Sequence, residues 1–509
     1  MNRKIVDTIF FLICFTLIFN NIPKPLQMNF IGGPVGSKLV FYPLAAGFLY
    51  TAYCQWKYRN ILQQQGIVIK FCAVYLGVTL VSLVWGLINY PYWQQVLAGP
   101  VEQIEKLPKV LAFFQSHGIE PDTKLLMSAW ISVRQIKGLF LEIFWCFGGA
   151  YMVYCWYKHD YKRGGRIAAA GLLAALVVFV IYGLIDAFYL AGSDLATNIL
   201  KNVNPLLHPI KSNNGWWPPL LWKNQLRSVF SEPSHVGNYL GLVLPVLLFA
   251  YVKKNSRVFL ATIGIITFLV VLTNARTAYA MLCGILFLFG LIIILRLREH
   301  WRKLLAALAV CCVCFNLGVA FLDYASSSSK NKAQDEVTAQ TVLEDNLLSL
   351  NSDVKRSNGA RYALIRSNWR ITLQHPFLGV GRGLAGAYMI DNYTEEEAKN
   401  GEIADWVRRS KKYGLFATGQ GYSDAMNEFV TRLSQTGVVG LLVLLAPFIW
   451  ILYKLQENAG TEALIKHMLS LILLSSLVAG CNGSVNLIYG IWIFLGLAYA
   501  AIYGDSEEV

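Results

Sequence analysis

Residues 171–184 read GLLAALVVFVIYGL, and residues 281–295 read MLCGILFLFGLIIIL. Neither run alternates apolar with polar residues, as a strand with one face to lipid and one to a lumen would. Both are apolar on every side and bounded by charge, which is the pattern of a helix surrounded by hydrocarbon. The rest of the chain agrees: 55% of the 509 residues are hydrophobic, 15% are charged, and the mean hydropathy is +0.46. A soluble protein of this length is far more polar. In hydrocarbon every backbone N–H and C=O needs an internal partner, so the sequence implies an all-α polytopic membrane protein.

Twelve stretches carry this character, near 5–20, 39–54, 67–89, 139–157, 167–192, 236–252, 258–273, 279–296, 304–323, 427–453, 464–480 and 487–503. The first is basic and then apolar, like a signal peptide. It runs into Asn20-Asn21-Ile22-Pro23 instead of a small-residue cleavage site, and is read as a retained span. Lys and Arg resist translocation, so the short connections that hold them mark the cytoplasmic side. Arg3/Lys4, Lys57/Arg59, Lys158/Lys162/Arg163/Arg166, Lys253/Lys254/Arg257 and Arg296/Arg298/Arg302/Lys303 fall at alternate connections. Both termini are therefore expected in the cytoplasm, with 21–38, 90–138, 193–235, 274–278, 324–426 and 481–486 facing outward. The expected organisation is nine spans over 1–323, one large external loop over 324–426, and three spans over 427–509.

The ten cysteines lie almost entirely inside apolar runs, without paired spacing or histidines suited to zinc, and are read as packing residues. The net charge of +14 comes with no nucleic-acid motif, so no nucleic acid is expected as a partner. A P-loop, a GxGxxG fingerprint and a paired-aspartate site are all missing from the sequence, and neither cofactor nor metal is expected.

The chemistry-bearing residues lie in the outward segments. Residues 326–332 (SSSSKNK) read as a flexible exit from the ninth span. Arg361 to Gln374 has helical character and ends at His375-Pro376 and the glycines Gly379, Gly381 and Gly383. On that helix Arg366 and Arg370 stand four apart on one face, and a pair of planar forks suits a pyrophosphate. The bland alternative is a solvated face paired with Glu or Asp. Arg361 lies opposite Arg370 in a continuous helix and joins the pair only if the helix starts later. Thr394 and Glu397 form a capping box, so Glu395, Glu396 and Glu397 are assigned to a helix start and not to catalysis.

Arg276 sits in a short connection between two apolar helices, where an arginine usually marks a partner or ligand, headgroup snorkelling being the alternative. Ser231-Glu232-Pro233-Ser234-His235 precedes another long apolar helix, with Pro233 in the first turn. Glu232 then stands at a helix N-terminus at the membrane surface, placed to act as a base toward a sugar hydroxyl. A Ser234–His235 nucleophile is excluded, because neighbours on a helix point about 100° apart. Trp216, Trp217 and Trp222 read as an interfacial belt or a platform for sugar rings.

Four segments together resemble the O-antigen polymerase and ligase superfamily, especially Wzy-type polymerases of bacterial surface polysaccharides. They are Ser231-Glu-Pro-Ser234, Asn274-Ala-Arg-Thr277, the arginine helix ending in Pro376-Phe-Leu-Gly-Val-Gly381, and Ala425-Met426-Asn427 leading to Gly437-Val-Val-Gly440. The third segment also holds an arginine, ten residues and a glycine, from Arg370 to Gly381. The resemblance implies a glycosyltransferase of the GT-C type in the bacterial inner membrane, with its site facing the periplasm. It also implies undecaprenyl-pyrophosphate-linked glycans as donor and acceptor, inverting transfer, membrane lipid around the substrates, and a chain-length regulator as a further partner. The product would be O-antigen, capsule or exopolysaccharide. On this reading Arg276, Arg366 and Arg370, with Arg361, hold pyrophosphate, and Asn427 positions a sugar or phosphate oxygen. The family's histidine is Met426 here, which cannot take a proton. That argues against a ligase and leaves the base role to Glu232, with Asp424, Glu428 or His235 in reserve. A ligase, or a flippase for lipid-linked glycan, are the competing functions.

Overall fold

The computed structural model describes all residues except 60–65, 105, 210–224, 329–337, 339, 341–355, 417–424, 458–462, 484–487 and 505–509. Trp216, Trp217, Trp222, Asp424 and most of the 326–332 segment lie outside the described residues. Each of the twelve apolar stretches is a helix. They are α1 (Arg3–Thr16), α2 (Phe41–Tyr58), α3 (Ile67–Ile88), α4 (Thr123–Tyr157), α5 (Tyr161–Leu190), α6 (Ser234–Lys254), α7 (Arg257–Thr273), α8 (Arg276–Arg296) and α9 (Trp301–Ser328). After the extramembrane helix α10 (Arg356–Gln374) come α11 (Glu428–Glu457), α12 (Ala463–Ala479) and α13 (Gly490–Tyr503).

Eight of these are long and apolar enough to cross a membrane, and α7 and α13 are shorter apolar helices. Several of the expected stretches are short of a full span: the 14 residues of α1 or α13 reach only about 21 Å against a hydrocarbon core of about 30 Å, and the 18 residues of α2 end in a polar stretch, Gln55 to Tyr58. The fourth stretch departs the other way. α4 has 35 residues, beginning at Thr123 instead of near 139, so its first third projects beyond the bilayer.

α6 and α13 lie at the centre, buried along nearly their whole lengths. The periphery is apolar and exposed, with Val74, Val81 and Val84 on α3, Val177, Ile181 and Phe188 on α5, and Phe287 and Leu295 on α8. Faces of that kind are stable only against lipid.

A second apolar core lies beyond the bundle. It joins Tyr90, Val96, Leu107, Met127 and Ile131 from the second outward connection to Leu364, Ile371, Leu384, Tyr388 and Ile403 from the large loop. The loop is thus docked on a platform made largely by another connection and the projecting end of α4.

The docking has a backbone component. α11 is interrupted at Gly437, whose φ of 66° is left-handed and costs a residue with a Cβ more than glycine. A Cβ there would also lie 2.1 Å from the Phe377 carbonyl oxygen. The interruption strips Ser434 and Gln435 carbonyls of helical partners, and the loop supplies them: Val380 N–H donates to Ser434 at 2.9 Å and Gly381 N–H to Gln435 at 2.9 Å. Val438 N–H donates back to Pro376 O at 2.8 Å. The Gly-Val-Gly segment of the sequence signature is therefore a splice into a broken membrane helix.

Candidate active site

Arg276 is the first residue of α8, set there because Asn274 takes a left-handed φ of 44° and ends α7 abruptly. Its guanidinium donates to the Asn358 side-chain oxygen on α10. One turn further along α10, Arg361 donates to Asn482 Oδ1 at 3.0 Å, and the Asn482 amide donates to Thr277 Oγ1 at 2.6 Å. Asn482, at the C-terminal end of α12, thereby ties the arginine of the loop to the start of α8. Burial, and after it the positive charge of Arg276, pull the Arg361 guanidinium below its ordinary value, while Glu232 and Glu402 pull it back up. Two arginines and Glu232 thus share one electrostatic neighbourhood.

α6 and α8 begin side by side. Gly237 allows this approach, since a Cβ would come within 2.9 Å of Thr277 O. α11 starts close by, where Glu428 N–H donates to Gly483 O at 3.1 Å. The N-terminal ends of α6, α8 and α11 thus lie near the Asn482–Gly483 turn, α8 through Thr277, α11 through Glu428 and α6 beside Thr277.

Glu232 is half-buried just ahead of Pro233, which has helical dihedrals. Ser234 Oγ donates to it at 3.5 Å. His235 turns elsewhere: its Nδ1 meets Asn20 Nδ2 at 2.5 Å and Ser231 Oγ at 3.1 Å. It lines a cavity of about 30 Å³ with Asn20, Lys38, Asn238 and Tyr239, enough for a water molecule.

The structure separates the remaining candidates. α10 runs unbroken from Arg356, so the later start that would have let Arg361 join Arg370 is not found. Arg370 faces the other way and forms a two-pronged pair with Glu397 at 2.7 and 2.9 Å. Glu397 in turn completes the expected capping box with Thr394. Arg366 is exposed with its guanidinium 5.7 Å from the centre of the Tyr362 ring. Asn427 caps α11, its side chain accepting from Phe429 N at 3.1 Å and Val430 N at 3.2 Å.

Glu428 is buried in a network that the sequence reading did not foresee. Arg432 donates to Glu428 at 2.6 Å, to Glu142 at 2.7 Å and to Tyr75 Oη at 2.9 Å, and Arg382 of the loop pairs with the other oxygen of Glu142. Glu142 was the available signal, a carboxylate inside an expected span. Asn358 and Asn482 had none, since an amide carries no charge pattern.

Fold and site define a multi-pass membrane protein in which two arginines and a glutamate stand where the helices α6 and α8 begin beside a docked loop. The family model for O-antigen ligase matches residues 260–445, from α7 through most of α11, which includes Arg276, Arg361 and the glycine splice. The match, which covers less than half of the chain, supports the O-antigen polymerase and ligase superfamily expected from the motifs. No curated protein matches the chain.

Proposed function

We propose that the protein polymerises undecaprenyl-pyrophosphate-linked oligosaccharide repeat units by inverting glycosyl transfer, on the outer face of the inner membrane. The observation that carries this reading is that α10 brings Asn358 to Arg276 and Arg361 to Asn482 beside the start of α8, with Glu232 among the charges acting on Arg361. Guanidinium forks suit the non-bridging oxygens of a diphosphate, and neutral amide partners leave most of their donors for such a ligand. As the bond to the anomeric carbon breaks, negative charge grows on the departing diphosphate, where the two arginines stabilise it. Glu232 takes the proton of the attacking hydroxyl, and the new bond forms on the opposite face of the sugar. The leaving group is already activated, so the step calls for neither nucleotide nor metal.

Met426 favours polymerase over ligase. It occupies a left-handed turn with φ 52° between Ala425 and the cap Asn427, and a thioether accepts no proton. The test is Glu232→Gln: the chain should remain in the membrane while surface glycan stops at single repeat units. A normal ladder of lengths would remove Glu232 from the role. Accumulation of long unattached chains in a knockout would show a ligase instead.

A further inference from the structure

The residues before Glu232 form an irregular segment that is almost completely buried. Arg227, Ser228 and Ser231 are each no more than 1% exposed, in a place where backbone groups cannot turn to water. Leu226 N–H donates to Leu272 O at 2.9 Å, which lays the segment on the end of α7. The next two amides, Arg227 and Ser228, point at one oxygen of Asp186 on α5, at 3.1 and 2.7 Å. Successive N–H groups converge in this way when a left-handed residue takes part, and such a nest binds an anion. Ser228 is that residue, with φ 53°, and its Oγ donates to Phe179 O at 2.8 Å. The group held in the nest is the Asp186 carboxyl itself.

A second tie brackets Glu232, from Ser231 just before it to His235 after it. Asn20, just past α1, accepts from Ser231 N and Ser231 Oγ, both at 3.3 Å, and its amide nitrogen meets His235 Nδ1. The segment bearing Glu232 is thus pinned by Asp186 before it and by Asn20 across it. Asp186 is 0% exposed, and a carboxylate is costly to bury in a membrane bundle.

We infer that Asp186 and Asn20 are positioning residues for the reaction, fixing the backbone from Arg227 to Ser231 so that the Glu232 carboxylate meets the acceptor hydroxyl beside Arg276 and Arg361. The inference rests on the role proposed for Glu232. A base misplaced by about 1 Å costs on the order of a hundredfold in rate without weakening substrate binding, which separates positioning from affinity.

The experiment uses purified full-length protein in nanodiscs, with lipid-linked repeat units extracted from the host membrane. Asp186→Ala and Asn20→Ala should lower kcat at least about tenfold with KM held within about twofold. Ser228→Gly, which keeps the left-handed turn, should stay within about twofold of the native rate, and Ser228→Val, which disfavours that turn, should fall with Asp186→Ala. If Asp186→Ala fails to accumulate in the membrane, the two Ser228 variants carry the test. Equal rates for Ser228→Gly and Ser228→Val, or a loss confined to KM, would overturn the inference. In a Glu232→Gln background Asp186→Ala should add no further loss, because both act on one step; fully additive losses would overturn it too. Should Glu232→Gln alone turn over normally, the base assignment fails, whereas the conformational contrast at Ser228 still reads on the segment itself.

Discussion

Two arginine clusters stand near the start of α11, and they differ in what answers the charge. In the first, Arg382 and Arg432 are matched by Glu142 and Glu428, with the Tyr75 hydroxyl between them, and Arg432, Glu142 and Glu428 are all nearly inaccessible. In the second, Arg276 and Arg361 donate to the amides of Asn358 and Asn482, and Glu232 stands at the edge. The first cluster is closed, its two cations matched by two buried carboxylates. The second is built from the same side chain but holds it with neutral groups. On the proposed reading, the closed network locks the loop to the bundle and the open one binds the diphosphate.

The largest effect should come from the closed cluster. Arg432→Leu leaves Glu142 and Glu428 buried with a cation removed, a loss of about 3–5 kcal/mol, and the protein should nearly vanish from the membrane fraction. Pairing it with Glu428→Gln should restore part of the yield. The opposite pattern is expected at the open cluster. Arg276→Ala or Arg361→Ala should accumulate normally yet lower turnover on the order of a hundredfold, the usual loss for a donor aimed at developing charge. Arg361→Lys keeps the charge without the fork and should recover only part of the activity. Loss of protein with Arg276→Ala, as with Arg432→Leu, would break the distinction between the clusters.

Asn482→Ala sharpens the comparison at smaller scale. It removes the tie between Arg361 and the start of α8 but no charge, so turnover should fall by about tenfold with the protein still present. An unchanged rate would mean that Arg361 is held in place by the docked loop alone.

How far this was readable beforehand follows from which solvent each part meets. Lipid demands long, uniformly apolar helices, so all twelve stretches from α1 to α13 are visible as sequence, α10 aside. The first third of α4 is not, because Lys124, Arg134 and Lys137 give it a surface character that hides its continuity with the span. The second apolar core was hidden for a related reason: Tyr90, Met127 and Leu364 come from short elements far apart in the chain, and no periodicity links them. Within the site, charge was legible and neutrality was not. Arg276 announced itself by its place between apolar runs and Glu232 by the proline after it. Arg361 needed the full length of α10 to show which way it faces, and the amides that hold both arginines left no trace.

The smallest expected effect is at Arg370, where a closed pair sits near the surface. Arg370 meets Glu397 with both prongs while about a third of its own side chain stays exposed, and an ion pair so placed is worth no more than about 1 kcal/mol. Arg370→Ala should therefore leave polymer length and abundance close to native, although this arginine opens the sequence signature that ends at Gly381. Its pH dependence gives a finer measure. Burial alone would raise the Glu397 carboxyl, but the hydrogen bonds from Arg370 and Thr394 outweigh it and hold it below the ordinary glutamate value of 4.5. A carboxylate lowered on folding stabilises the fold fully above its ordinary value, and that contribution is lost as pH falls through the lowered one. Hydrogen exchange in Glu395–Lys399, corrected for intrinsic rate, should thus be steady from pH 7 to 5 and rise below about 4.5. In Arg370→Ala, where the carboxyl loses its main lowering partner, exchange should be faster at pH 7 and the rise below about 4.5 smaller. A large loss of polymer in the same variant would instead place Arg370 with Arg276 and Arg361, and the division between open and closed arginines would have to be redrawn.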